Sequence, residues 1–190
     1  MRRIRQAFAI AALALISGSA FAWPCDFLTG GGFIFHNGNK ANFGVGGGCK
    51  DGTPTWGHLE YIDHGLGLNV HWTSITGYFE VDSSNDDKGR PIGARQVCGT
   101  ASTNLFGDVD FVVQARDSGE PGVNDQFDIR LRKAGAVVYD TTQQCFPHFL
   151  GSQAPCAPGD GGGGNIQLHK PNPSTTGSFG GSCPALNGDR

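Results

Sequence analysis

The sequence predicts an all-β fold, a single-domain antiparallel β-sandwich or flattened barrel of about eight to nine strands, stapled by disulfides. Three observations lead there. First, 31 Gly and 10 Pro among 190 residues cut the chain into short pieces, and no stretch sustains a helical period. Second, several of those pieces alternate apolar and polar residues, as a strand with one packed face does. Third, the chain carries six cysteines, an even number that in an exported protein reads as a disulfide set.

In chain order, the first segment is a processing signal. Arg2, Arg3 and Arg5 form a positive start, Ala7 to Ile16 an apolar stretch, and Ala20-Phe21-Ala22 a small-residue cleavage pattern, so residues 1–22 are expected to be removed and the mature protein to begin near Trp23. The apolar run is too short to span a bilayer. Residues 23–171 are expected to form the β-domain and 172–190 an irregular tail held by Cys183. The mature chain keeps all 17 acidic residues but loses three of its 14 basic ones. That acidic balance disfavours nucleic acid and anionic lipid as partners. The expected location is therefore outside the cytoplasm, without membrane insertion.

Strands follow one another closely. "GGFIFHNGNKANFGVGG" (31–47) reads as a hairpin turned at Asn37-Gly38. "HLEYIDH" comes next, then "GLNVHWTSITGYFEV", where Leu68, Val70 and Trp72 alternate with Asn69, His71 and Thr73. After the polar loop "SSNDDKGRP" come "ARQVCGTAST", "DVDFVVQAR", "QFDIRLRKA" and "AVVYDTTQQ". A cysteine-bounded loop and "GDGGGG" precede the last strand, "NIQLHK". The expected core draws on Phe33, Phe35, Leu68, Val70, Trp72, Phe79, Phe111, Val113, Phe127, Ile129 and Ile166, the parity between strands being unfixed by pattern alone.

Six cysteines allow 15 pairings. Cys145 and Cys156 flank a short Pro-containing loop, whose closure removes roughly 3 kcal/mol of unfolded-chain entropy, and are the first expected pair. Cys25 with Cys183 would then tie the two ends, leaving Cys49 with Cys98.

Six segments, "TGGGFIF…NGNKANFGVGGG", "GHLEYIDH", "TSITGYFEV", "ARQVCGTA", "DSGEPGVNDQFDIRL" and "GGGGNIQLHKP", taken in that order from Thr29 to Pro171, resemble the post-COAP domain family. The resemblance implies a compact all-β module of bacterial secreted and surface proteins. It implies no catalytic residues. The six cysteines and the insertion around "CFPHFLGSQAPC" depart from the simplest family pattern.

Two stretches carry candidate chemistry. "GHLEYIDHG" (57–65) places His58, Glu60 and His64 on one strand face, with His71 on the next strand, as candidate zinc or copper ligands. Against this, His58 and His64 lie about 20 Å apart along an extended strand. The same stretch offers Glu60, Asp63 and His64 as an acid/base group for a hydrolase or lyase acting on an extracellular polymer. "DSGEPGVNDQFD" offers Asp117, Glu120, Asp125 and Asp128 as calcium ligands, although the EF-hand spacing is absent and Pro121-Gly122 reads as a turn. The glycine runs are not followed by GK[ST], and no G-x-S-x-G elbow occurs. The favoured expectation is a non-catalytic module without cofactor that presents a sheet face to an extracellular polymer, surface or protein. Trp56, Trp72, Tyr61 and Tyr78 are its candidate contact aromatics.

Overall fold

The computed structural model describes residues 25–159 and 162–186, so the expected signal segment lies outside the described residues. Nine strands run as an antiparallel meander: β1 (Phe27–His36), β2 (Asn39–Lys50), β3 (Thr53–Asp63), β4 (Leu68–Asn85), β5 (Pro91–Thr103), β6 (Gly107–Asp117), β7 (Gln126–Lys133), β8 (Ala136–Asp140) and β9 (Gly164–His169). Their spatial order is β8-β7-β6-β5-β4-β3-β2-β1-β9, and a two-residue strand, β10 (Gly180–Gly181), pairs with β4. From β1 to β8 chain neighbours pair, because short connections join most of them. At the first turn, Asn37 and Gly38 both take positive φ, the requirement of a two-residue hairpin loop.

One sheet folds over on itself, giving a sandwich-like all-β fold with a single main core. The Phe43 ring of β2 stacks on Phe127 of β7 at 3.9 Å between centroids, and Tyr61 of β3 meets Tyr139 of β8 at 5.8 Å. Three register shifts along the 18-residue β4 let that strand bend through the fold. The two sides meet at a seam where β9 lies beside β6. Backbone amides on the free edge of β9 find carboxylates there: Leu168 N donates to Asp117 and Ile166 N to Asp125, at 2.8 and 2.7 Å. An otherwise open edge is thereby closed by side chains.

Leu68, Val70, Phe111, Val113, Phe127, Ile129 and Ile166 are buried in the main core, with Trp72 half-buried against it. The expected parity of β1 is reversed. Ile34 and His36 point inward, Ile34 opposite the buried Ala41, and Phe33 and Phe35 stand on the outer face. A slip of one residue exchanges the faces of a strand, and glycines at positions 30–32 left the period unmarked. Phe79 packs in a separate small cluster with Cys98, Val112 and Ala185.

The disulfides also differ from expectation. Cys145 joins Cys156, but Cys25 joins Cys49 and Cys98 joins Cys183. Strand register explains both changes. Phe27 lies opposite Gly48, so the residues just before β1 sit beside Cys49, whose N donates to Asp26 O. Gly77 is shared as partner by Cys98 on one side and Gly181 on the other, which brings Cys183 to Cys98. The segment after Pro171 is consequently part of the fold: Thr175 and Ala185 are buried and Phe179 stacks on Tyr78. All three bonds fit a protein of an oxidising environment. Among the described residues, no helix is long and apolar enough to cross a membrane.

Candidate binding face and the fate of the predicted clusters

Pairing register places one row of side chains after another on the outer face of β9, β1, β2, β3 and β4. The first row is His169, Phe27, Gly48 and Trp56. Gly48 has no side chain to separate its neighbours, so Phe27 closes over it, where an added Cβ would lie 2.4 Å from the Phe27 Cβ. The Phe27 ring stacks on His169 at 4.2 Å and meets Trp56 edge-on at 6.0 Å. Lys50 Nζ stands 3.8 Å from the Trp56 ring centre. Burial lowers the pKa of His169, and its Nε2 is 2.8 Å from Thr29 Oγ1. At the other end of β1, Phe33 and Phe35 meet edge-on at 5.8 Å, with Lys40 Nζ 4.0 Å over Phe33.

Between these two platforms Thr29 and the His58 ring over Gly46 occupy part of the face, and the backbone is bare at Gly31 and Gly44. Gly31 and Gly44 face each other, and a Cβ on Gly44 would meet nothing within 4 Å. Phe27 and Phe33 are six residues apart on one strand, so the platforms are separated by about 20 Å. Both consist of half-buried aromatic rings flanked by a cation, an arrangement that stacks on flat apolar faces while keeping a charged group in water.

The residues of "GHLEYIDHG" divide between the two faces of β3. His58 and Glu60 are on the outer face, where the His58 ring lies over Gly46 and Glu60 pairs with His71 across the strands. His64 Nε2 donates to Asn42 Oδ1 at 2.8 Å. Glu60 and His71 engage one another and His64 engages Asn42, and the proposed set His58, Glu60, His64 and His71 does not converge on one point. Asp63 points inward. Its Oδ2 accepts from the Tyr139 hydroxyl at 2.8 Å, and its Oδ1 accepts from Gly65 N and Leu66 N. The acid/base group Glu60, Asp63 and His64 is therefore split by the strand itself.

Two of the four candidate contact aromatics are core residues. Tyr61 is fully buried and donates to the Tyr139 oxygen at 2.6 Å, and burial raises both hydroxyls far above their usual pKa. Tyr78 is fully buried and donates to Asp26 at 2.8 Å. Trp72 leans on the core, which leaves Trp56 on the outer face. Phe27 and His169 are not singled out by the sequence, and Phe33 and Phe35 are expected in the core rather than on this face. A signal for their face was present: in "ANFGVGGGCK", Phe43, Val45 and Cys49 alternate with Gly44, Gly46 and Gly48, a strand with one packed face and one stripped of side chains.

The four acidic residues proposed for calcium serve other ends. Asp117 and Asp125 close the seam with β9. Asp125 also accepts from Ser118 N, and Asp117 from Gly119 N. Glu120 reaches Asn165. Asp128 stands apart on β7, where it holds the buried His148 ring at 2.7 Å and the His148 backbone N at 3.1 Å, anchoring the loop closed by Cys145–Cys156. Burial raises the Asp128 pKa. Among the described residues no group of three or more His, Cys, Asp or Glu side chains is placed to hold a metal ion.

Asp125 yields a pH prediction. Burial pushes its carboxyl up to about 7, although two amide donors favour the charged form. With an unfolded value near 4, the stability tied to this shift is complete at low pH and is lost as the pH rises through 7. The melting temperature is expected to fall between pH 4 and pH 7. In Asp125→Asn that fall is expected to flatten, from a lower starting point because one amide loses its acceptor. Thermal unfolding scans across this range check both.

Comparison with protein-family models, with curated proteins and with solved structures found no match.

Proposed function

We propose that this chain is a secreted, non-catalytic binding module of the bacterial exterior, of the post-COAP type, that holds an extended polysaccharide along the outer face of β1 and β2. The supporting observation is the pair of aromatic-and-lysine platforms, Trp56–Phe27–His169 with Lys50 and Phe33–Phe35 with Lys40, joined by bare backbone at Gly31 and Gly44. Sugar rings offer flat C–H faces to aromatic rings, and the glycines leave room for a chain lying close to the sheet. Catalysis is disfavoured because the ionisable residues of that face are spread along the strands in the open, Glu60 against His71, His64 against Asn42 and His169 against Thr29. A hydrolase or lyase needs them gathered in one concavity.

The test is depletion of the protein from solution by insoluble cellulose, chitin and peptidoglycan. Retention on at least one of these is expected. Trp56→Ala and Phe33→Ala should each weaken it about tenfold, near 1.4 kcal/mol, with circular dichroism unchanged. Retention that neither substitution alters would contradict the assignment of this face.

A further inference from the structure

At the end of the sheet where β1 turns into β2, a polar cleft of about 610 Å³ opens between that turn, the β3–β4 turn and the 3-10 turn Thr141–Gln143 that follows β8. Its size is that of small-molecule sites in general. We propose that this cleft binds a neutral sugar unit, at a site separate from the outer face and independent of what that face holds.

Its lining is short of cations and rich in carboxamides. Two carboxylates reach it, Asp63 and Asp140, and both are already engaged. Asp63 is held as described, and Asp140 accepts from Arg130 Nε at 2.8 Å and Thr142 N at 2.9 Å. An anion would find no free cation here among the described residues, because Arg130 is already engaged by Asp140. Asn37, Asn39, Gln143 and Gln144 supply the rest of the polar wall. Gln144 Oε1 accepts from Asn37 N at 2.9 Å, and Asn37 Nδ2 donates to His36 Nε2 at 3.1 Å. Asn37 Oδ1 and Gln144 Nε2 are then an acceptor and a donor without a protein partner among the described residues. Paired donors and acceptors of this kind match hydroxyl groups, which both give and accept a hydrogen bond. Leu66, 51% exposed, and the Tyr139 ring add apolar surface for the C–H face of a sugar.

His36 is the independent sign that the cleft lacks a component. The ring is 7% exposed and its Nδ1 is buried without a hydrogen-bond partner. Because Nε2 accepts from Asn37, Nδ1 carries the proton, leaving a buried donor unsatisfied in the cleft wall. The Gln144 side chain lies near enough to influence the ring's proton affinity without completing that bond, and burial lowers the pKa overall, keeping the ring neutral. An unsatisfied buried polar group calls for a further partner, which a bound hydroxyl can supply through small side-chain shifts.

The experiment is an amide NMR titration of the full chain with glucose, N-acetylglucosamine and xylose, with sodium acetate and tetramethylammonium chloride as charged probes. Saturable shifts centred on Asn37, Asn39, Leu66 and Gln143 are expected with at least one sugar. The double variant Asn39→Ala, Gln143→Ala should bind at least tenfold more weakly. Both residues are exposed, and Leu66→Ala provides a second variant should the first perturb the fold. Trp56→Ala should leave these shifts unchanged, so failure of the outer-face reading and failure of this one are distinguishable. No saturable shift with any of the three sugars, shifts with a charged probe alone, or shifts unaltered by the cleft variants would each overturn the proposal.

Discussion

Replacing Arg95 by Ala is expected to lower the unfolding free energy by about 3–5 kcal/mol and the melting temperature by roughly 10 °C. Arg95 is 1% exposed. Its Nε and one terminal nitrogen donate to both oxygens of Asp26 at 3.2 and 2.5 Å, and the other terminal nitrogen donates to the backbone oxygens of Asp82 and Ala94. Burial opposes the guanidinium charge, but Asp26 outweighs it and raises the pKa. Truncation would leave Asp26 buried with only the Tyr78 hydroxyl as side-chain partner, together with the backbone acceptors that Arg95 now satisfies. The cost is one of isolating a charge, so the double variant Arg95→Met, Asp26→Leu should recover a large part of the loss. Denaturant melts of the single and double variants decide this. A single variant within 1 kcal/mol of wild type would show that the buried pair does not hold the start of β1 to β5.

Replacing both Cys98 and Cys183 by Ser is expected to cost about 4–5 kcal/mol, the largest loss among the three disulfides. The bond closes a loop of 85 residues, against 24 for Cys25–Cys49 and 11 for Cys145–Cys156, and the entropy withheld from the unfolded chain grows with the logarithm of that length. It also fixes the C-terminal segment, since only Ser182 separates Cys183 from β10, and the buried Ala185 follows shortly after. Proteolysis should then cut first in residues 172–186 of the variant, and mass spectrometry of the fragments reads the site. Equal loss for all three disulfide knockouts would contradict a loop-length origin.

Much of the fold was legible because its signals are local. Asn37-Gly38 specifies a tight hairpin, and the alternation of Leu68 and Val70 with Asn69 and His71 specifies a strand with one packed face. What escaped is set by register between strands. The parity of β1 depends on which of its residues meets Ala41, and the pairing of Cys98 with Cys183 depends on β10 docking beside β4. Neither contact leaves a mark within the segment that makes it. The candidate clusters failed for a related reason. Residues dense in sequence, such as His58, Glu60, Asp63 and His64, are spread by a strand over two faces. The platforms instead join residues as distant as Phe27, Trp56 and His169. The calcium candidates show the other side of this: Asp117 and Asp125 are grouped because two amides of β9 need acceptors, a demand made by residues 51 and 41 positions further on.

The central claim, that two platforms about 20 Å apart act on one extended chain, is tested most directly by affinity as a function of ligand length. Calorimetric titration with soluble oligomers of the retained polysaccharide, from two units to eight, makes the measurement. The second platform acts at a high effective concentration only when one molecule reaches both. Affinity should therefore rise by at least tenfold once the oligomer spans the distance, and that rise should vanish in Phe33→Ala while the weak binding of the shortest oligomers persists. An affinity that is independent of length, or a rise that survives Phe33→Ala, would contradict it.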